Sequence, residues 1–235
     1  MSGLIESATS ILSGSERQLE RISHNVSNVA TPGYKRKTSF SDEIYFKTIA
    51  KTQISLPTRS DLSQGRMSST GNPLDLAISG GGFFQLRAGE EIVYSRQGQF
   101  RLGPDGTVVT PQGYALQQAG GGDLVLERAA VTILTDGTVL DQDRPVGRIG
   151  VFGAAAGQAP QPVSGSIFKI ADDAVEEIAA PELRQGMVEA SNVTLGDEMV
   201  EMMAVLRQAE GGSRLVQLYD DLMGRAITTF GQGGK

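Results

Sequence analysis

Four groups of residues in this chain are of types and spacings that could carry chemistry. His24 is the single histidine, and an imidazole is the commonest acid–base group near neutral pH. It stands beside Asn25 in a helical pattern with no sequence partner that suggests a triad, so it reads as a polar helix side chain. Gly80-Gly81-Gly82 resembles a phosphate cradle. Such a loop needs a lysine and a hydroxyl residue opening a helix, whereas here Phe83-Phe84 opens a strand. Asp136, Asp141 and Asp143 offer oxygen ligands for calcium, yet their spacing misses the EF-hand pattern and lacks its terminal bidentate glutamate, which leaves hairpin-turn aspartates. Asn25-Val26-Ser27 and Asn192-Val193-Thr194 are formal glycosylation sequons, but both adjoin helices. This reading assigns no catalytic residue, no cofactor and no metal site. The polar groups that remain are amides. Asn25 and Asn28 lie three apart on one helix edge, placed to hydrogen-bond a neighbouring helix or the chain that doubles back after Pro32-Gly33.

The elements that must position these residues are legible in turn. Through the first thirty residues, Leu4, Ala8, Ile11, Ser15, Leu19, Ile22, Val26 and Val29 recur three and four apart, one narrow stripe opposite Glu6, Glu16, Arg17, Glu20 and Arg21. A narrow stripe without a partner nearby in sequence is a coiled-coil seam. Thr31-Pro32-Gly33 stops the helix, because proline lacks the N–H donor and restricts the residue before it, and glycine turns freely. Residues 31–71 read as an extended connector, within which Phe40, Ile44, Tyr45, Phe46 and Ile49 suggest a short strand or helical turn. From Asn72 short β segments alternate with glycine turns, and Pro104-Asp105-Gly106-Thr107-Val108 is echoed by Thr135-Asp136-Gly137-Thr138-Val139. Asp-Gly there predicts tight hairpins with positive φ at both central positions. An acidic segment, Asp172 to Glu182, contains Pro181 and leads on through Gln185 to Val193. A second seam then runs through Leu195, Met199, Met202, Leu206, Ala209, Ser213, Val216, Tyr219, Met223, Ile227 and Phe230. The expected fold class is α+β: the N- and C-terminal helices paired as a coiled-coil-like α domain, with an inserted antiparallel β domain. The expected divisions are 1–30, 31–71, 72–184 and 185–235.

The 235 residues suffice for a full core in one or two domains. Zero cysteines exclude disulfides and thiolate metal sites. A net charge of −6 argues against nucleic acid as a partner, and Lys35-Arg36-Lys37 is too short a basic cluster to reverse that. No twenty-residue apolar span predicts membrane insertion, and Met-Ser-Gly-Leu-Ile-Glu lacks the basic start and apolar run of a cleaved secretory signal.

Ile22 to Lys35 closely resembles the N-terminal signature of the flagellar rod, hook and hook-associated axial proteins. Three further stretches agree in order: Gly71 to Phe84, Tyr94 to Phe100, and Gln185 to Val193. Modest length and one β domain look like a rod subunit rather than the longer hook protein, and Arg144 to Phe152 is most similar to the proximal-rod type. The resemblance implies a structural subunit, not an enzyme, that joins other rod subunits and copies of itself. It also implies export by the flagellar type III apparatus and a place in the periplasmic part of the basal body. The assembly interface would draw on Leu4, Ala8, Ile11, Leu19, Ile22, Asn25, Val26, Asn28 and Val29, and on Pro32, Gly33 and Tyr34 at the stop. From the C-terminal part it would take Ser191, Asn192 and Val193, then Met199, Met202, Leu206, Val216 and Met223. Methionines 199, 202, 203 and 223 suit such a surface because a flexible thioether adapts to unlike neighbours. Two departures from the family stand out. His24 replaces the usual asparagine, and Gly211-Gly212 stands inside the second helix where the family carries ordinary helix formers, each glycine costing about 1 kcal/mol relative to alanine and so weighing against helix continuity there. Alternatives are a distal-rod or hook-type subunit, or a soluble β-domain enzyme or carbohydrate-binding protein whose end helices merely dimerise.

Overall fold

The computed structural model describes residues 2–39 and 58–232, so the Phe40–Ile49 stretch lies outside the described residues. The chain divides into two compact units, residues 1–27 with 194–235, and residues 28–193.

The first unit is a pair of helices, α1 (Ser2–Ser27) and α2 (Leu195–Gln232). In α1, Ala8, Ser15 and Ile22 are buried at seven-residue intervals and Asn25 is buried one turn on, the spacing of a supercoiled seam. Along α2 the buried Glu198, Val205 and Gly212 alternate with the half-buried Met202, Ala209, Val216 and Tyr219. Asp197 and Glu198 in its first turn complement the positive end of the helix dipole. The helix runs unbroken through Gly211-Gly212, because packing along a seam this long outweighs the local propensity loss.

The second unit is built from antiparallel strands. Its largest sheet has the order Gln161–Ser164, Ile167–Lys169, Glu91–Ser95, Phe83–Ala88, Ala115–Leu116, Val108–Val109, Arg101–Leu102, with Val151–Ala154 joined to Phe83–Ala88 and carrying Val175–Glu177. Side chains alternate across a strand, so Phe84 and Leu86 enter the larger core with Leu76, Leu116 and Ile149, while Phe83 enters a second cluster with Tyr94 and Phe168. Phe84 meets Phe100 edge to face at 5.4 Å, and Phe83 meets Phe168 at 5.1 Å. Thr132–Ile133, Thr138–Asp141 and Arg144–Arg148 make a three-stranded sheet. Three pairs complete the unit: Lys37–Ser39 with Thr58–Ser60, Leu76–Ser79 with Glu182–Gln185, and Met67–Ser69 with Met187–Glu189.

These pairings correct the expected fold class. The described structure is mostly β, with two helices and several antiparallel sheets. The helices do pair, but the β part that lies between them in sequence is dominant. The reason is non-local. Met67–Ser69, which looks like connector in sequence, and Met187–Glu189, which falls in the division expected to belong to the C-terminal helix, become strands by pairing with one another, with Met67 opposite Glu189. The acidic segment likewise supplies Val175–Glu177 to Val151–Ala154.

The two Asp-Gly turns also differ from expectation. Only the glycines, Gly106 and Gly137, have positive φ; Asp105 and Asp136 do not. Each aspartate instead accepts hydrogen bonds from the backbone N–H and the hydroxyl of the threonine two residues on, at 3.3 and 2.9 Å in the first turn and 2.9 and 3.0 Å in the second. The tight turn with two positive-φ residues is elsewhere, at Gln142 and Asp143 between the last two strands of the three-stranded sheet.

Candidate functional site

Within the β unit, the four stretches that carry the family resemblance meet around one carboxylate. After α1, Thr31 N–H donates to Asn28 O at 3.1 Å and Tyr34 N–H to Thr31 O at 3.2 Å, which folds the Pro-Gly segment into consecutive turns. Gly33 takes φ +69 and lies so close to the Arg96–Gln97 backbone that an added Cβ would sit 2.3 Å from the Arg96 carbonyl carbon. Only glycine fits there. Its N–H donates to Glu189 O at 2.8 Å.

Glu189 is the centre of this arrangement. One carboxylate oxygen accepts from Lys35 Nζ at 2.6 Å and from Gly65 N–H at 2.7 Å, and the other lies 3.3 Å from Arg96 Nη1. The Lys35 and Glu189 side chains are each 1% exposed. Arg96 donates onward to the carbonyls of Ile78 and Gly80, and its guanidinium lies 5.7 Å from the Phe83 ring centroid. Burial pushes the Lys35 ammonium below its ordinary range, against the opposing pull of the Glu189 hydrogen bond and charge. Burial likewise lowers Arg96, again opposed by Glu189. Arg96 thus holds the start of the triple-glycine turn from inside, and the turn's glycines answer to its backbone: Gly80 and Gly82 take φ +93 and +101, a region that favours glycine. None of Lys35, Arg96 and Glu189 was singled out by sequence reasoning; the available signal was that each lies inside a family-like stretch while being charged.

Asn192 fastens the other side of the stop. Its Oδ1 accepts from Arg36 N–H at 2.7 Å, and its Nδ2 donates to the carbonyls of Asp61 at 2.8 Å and Ser63 at 3.1 Å. Ser191 Oγ accepts from Val193 N–H at 3.2 Å. Asn192 is half-buried and Val193 buried, and Tyr34 is 1% exposed.

In the helical unit, Asn25 Nδ2 donates to Glu198 Oε2 at 3.1 Å, both residues fully buried, and Arg21 is paired with Glu201. Asn28 belongs to the turn after α1, where its Oδ1 accepts from the Thr31 hydroxyl at 3.2 Å. His24 is exposed on α1.

The remaining candidates sort by burial. Ala8 and Ile22 are buried, Ile11, Leu19, Val26, Val29 and Pro32 are half-buried, and the Leu4 side chain lies outside the described residues. On α2, Met202 and Val216 are half-buried while Met199, Leu206 and Met223 are exposed; the Ile227 and Phe230 side chains lie outside the described ones. The stripe expected from sequence therefore splits. Glu198, Val205 and Gly212 belong to the seam; Glu198 and Val205 stood outside the expected stripe, because a search for apolar repeats passes over a glutamate and takes Leu206 in place of its neighbour Val205, whereas Gly212 stood out only as a departure from the family. Gly212 is buried because an added Cβ would lie 3.0 Å from Ile11 Cγ2 and 3.3 Å from Leu12 Cγ.

Comparison with known proteins gives two family matches. The model described as "Flagellar hook protein FlgE/F/G D1 domain" matches residues 77–140, and "Flagellar basal body rod FlgEFG protein C-terminal" matches residues 184–229. The second contains Glu189, Asn192 and most of α2. The flagellar basal-body rod protein FlgG of Bacillus subtilis is 27% identical over 241 residues, covering 88% of this chain and 91% of that protein. The FlgF proteins of Caulobacter vibrioides and Salmonella typhimurium are 27% and 28% identical, over 92% and 86% of this chain and 93% and 88% of their own lengths. FlgF and FlgG relatives match equally well, and neither type is favoured over the other.

Proposed function

We propose that the chain, similar throughout to flagellar basal-body rod proteins, is a structural subunit of the rod which assembles helically through its terminal helices. It is not an enzyme, its partners are other rod subunits, and its place is the flagellar basal body. The observation that carries the mode of assembly is α2. One face of this 38-residue helix is used by α1, while Met199 at 55%, Met203 at 54% and Leu218 at 58% exposure leave apolar surface to water on its other sides. A surface of this extent on a helix is the mark of a contact made in an assembly. Ala8, Ile11, Ile22, Asn25 and Val26 would set the helix pair, and Met199, Leu206 and Met223 would meet neighbours.

Pro32, Gly33, Tyr34, Ser191, Asn192 and Val193 fix the chain's exit from and return to the helices, which is their part in assembly. No described helix is long and apolar enough to cross a membrane. Export through the flagellar type III apparatus, assembly in the periplasmic space and a position in the proximal rod belong to the same proposal. They are supported by the resemblance of Ile22–Lys35 and of Arg144–Phe152 to the axial proteins.

The test is to tag the chain, purify basal bodies and locate the tag by electron microscopy, with a deletion strain alongside. The expected result is label within the rod, and basal bodies lacking a complete rod after deletion. Normal motility of the deletion strain, with no label in basal bodies, would overturn the proposal and favour a free β-domain protein.

A further inference from the structure

Aspartate followed by glycine is chemically among the weakest pairs in a polypeptide, because the glycine amide nitrogen reaches the aspartate Cγ with no side chain in the way. A bond forms from that nitrogen to Cγ, the protonated carboxyl loses an oxygen as water together with the hydrogen of the attacking N–H, and a five-membered succinimide closes. Water then adds to one of its two carbonyls. Addition at Cγ breaks the new bond and restores aspartate, whereas addition at the main-chain carbonyl breaks the original peptide bond and leaves isoaspartate, with one extra carbon in the backbone. The chain sets its asparagines, Asn25, Asn28, Asn72 and Asn192, before valine or proline, where a branched side chain hinders closure or no N–H is present. Its labile pairs are Asp105-Gly106 and Asp136-Gly137.

The fold is obliged to keep both glycines. Gly106 and Gly137 take φ +81 and +89, and an added Cβ would lie 2.8 Å from Leu126 O in the first turn and 2.4 Å from Ile149 O in the second. A bulkier residue that would slow closure therefore has no room, and protection has to come from another side chain. Asp105 and Asp136 are exposed, so water and protons reach both carboxylates. The attacking nitrogens are already donating, Gly106 N–H to Gly103 O at 3.1 Å and Gly137 N–H to Leu134 O at 3.0 Å. In each turn the next residue is threonine, and it engages both carboxylate oxygens. Thr107 N–H and hydroxyl donate to one oxygen each of Asp105 at 3.3 and 2.9 Å, and Thr138 does the same to Asp136 at 2.9 and 3.0 Å. These bonds favour the ionised carboxylate and hold it below its usual range, whereas closure proceeds from the protonated acid.

We propose that Asp105 and Asp136 are latent isoaspartate sites and that Thr107 and Thr138 guard them, each threonine hydroxyl and N–H tying down the two carboxylate oxygens that succinimide closure must free. The guard preserves the sheets. Each turn is closed by a backbone bond, Gly103 N–H to Thr107 O at 2.8 Å and Leu134 N–H to Thr138 O at 2.9 Å. An extra backbone carbon inside either turn would shift the pairing of Arg101–Leu102 with Val108–Val109, or of Thr132–Ile133 with Thr138–Asp141. The inference goes beyond the rod reading and does not depend on it.

The test incubates the full-length folded chain at about pH 5, where an unfolded aspartate is still partly protonated, and well below its melting temperature. Isoaspartate at each turn is read by peptide mapping with mass spectrometry, and the same chain unfolded in urea is the reference. In the folded wild type both sites are expected to isomerise at least about ten-fold more slowly than in urea, as two hydrogen bonds to each carboxylate require. Thr107→Val, which keeps the N–H and removes the hydroxyl, is expected to speed isomerisation at Asp105 by about five-fold and to leave Asp136 unchanged. Thr107→Ser is expected to keep the wild-type rate. Thr138→Val does for Asp136 what Thr107→Val does for Asp105, and it carries the comparison if the buried Thr107 does not tolerate valine, since Thr138 is half-buried. A valine variant no faster than wild type, equal acceleration at both turns, a serine variant as fast as valine, or a folded wild type as fast as the unfolded chain would each overturn the proposal.

Discussion

Replacing Glu189 with alanine is expected to be the most damaging single side-chain truncation in the β unit, for reasons the geometry makes quantitative. The carboxylate serves Lys35 at 2.6 Å, Arg96 at 3.3 Å and Gly65 N–H at 2.7 Å. Removing one partner of a buried ion pair costs about 3–5 kcal/mol, and an orphaned buried N–H adds about 1–3 kcal/mol. Part of this is relieved because Lys35, already pushed towards its neutral form by burial, can release its proton. A net loss of about 4 kcal/mol is the working figure. With a urea slope of about 2 kcal/mol per molar, the midpoint should fall by about 2 M. The assay is urea unfolding followed by far-UV circular dichroism and tyrosine fluorescence, the chain having no tryptophan. Lys35→Met should cost less, because Glu189 keeps Arg96. Glu177→Gln, which breaks an exposed pair with Arg148 at 2.9 Å, should cost under about 1 kcal/mol. If Glu189→Ala proves no worse than Glu177→Gln, or if Lys35→Met exceeds it, the reasoning from burial and shared charge is wrong.

Two further expectations concern single turns and single contacts. Gly211 faces open space, so Gly211→Ala should stabilise α2 by about 1 kcal/mol; Gly212→Ala should gain nothing or lose stability, because its new Cβ meets Ile11 at 3.0 Å. Thermal melts by circular dichroism would show the difference, and equal gains at both positions would mean that α1 does not pack there. Asp105 and Asp136 are held below the usual carboxylate range, chiefly by hydrogen bonds from Thr107 and Thr138. Their contribution to stability is therefore complete above the unfolded value of about 4 and is lost as pH falls through the lower folded values. A double Asp105→Ala, Asp136→Ala variant should show a shallower loss of melting temperature on acidification, and an unchanged slope would refute this.

The local parts of the architecture were readable. The Leu4–Val29 stripe, the Pro32-Gly33 stop and the Leu195–Phe230 periodicity announced helices and a break, because helix period and proline sterics act within a few residues. The Asp-Gly-Thr repeats announced turns, though not their type. A side-chain hydrogen bond from threonine back to aspartate stabilises the turn without positive φ at the aspartate, and pattern alone does not distinguish the two. Met67–Ser69 and Met187–Glu189 were unreadable as strands because three residues carry no measurable period.

The sequence by itself determined that the ends are helical, that the middle is β, and that Ile22–Lys35, Gly71–Phe84, Tyr94–Phe100 and Gln185–Val193 resemble axial proteins of the flagellum. Only the tertiary structure decided that β structure dominates, that Lys35 finds Glu189 at a separation of 154 residues, and that α2 turns Glu198, Val205 and Gly212 rather than Met199 and Leu206 towards α1. Periodicity fixes how often a helix shows a face, but two apolar lines side by side on α2 satisfy it equally well. The choice between them was made by the partner: Asn25 satisfies a buried Glu198, Gly212 admits Ile11 and Leu12, and the line left over, through Met199 and Leu206, stays exposed.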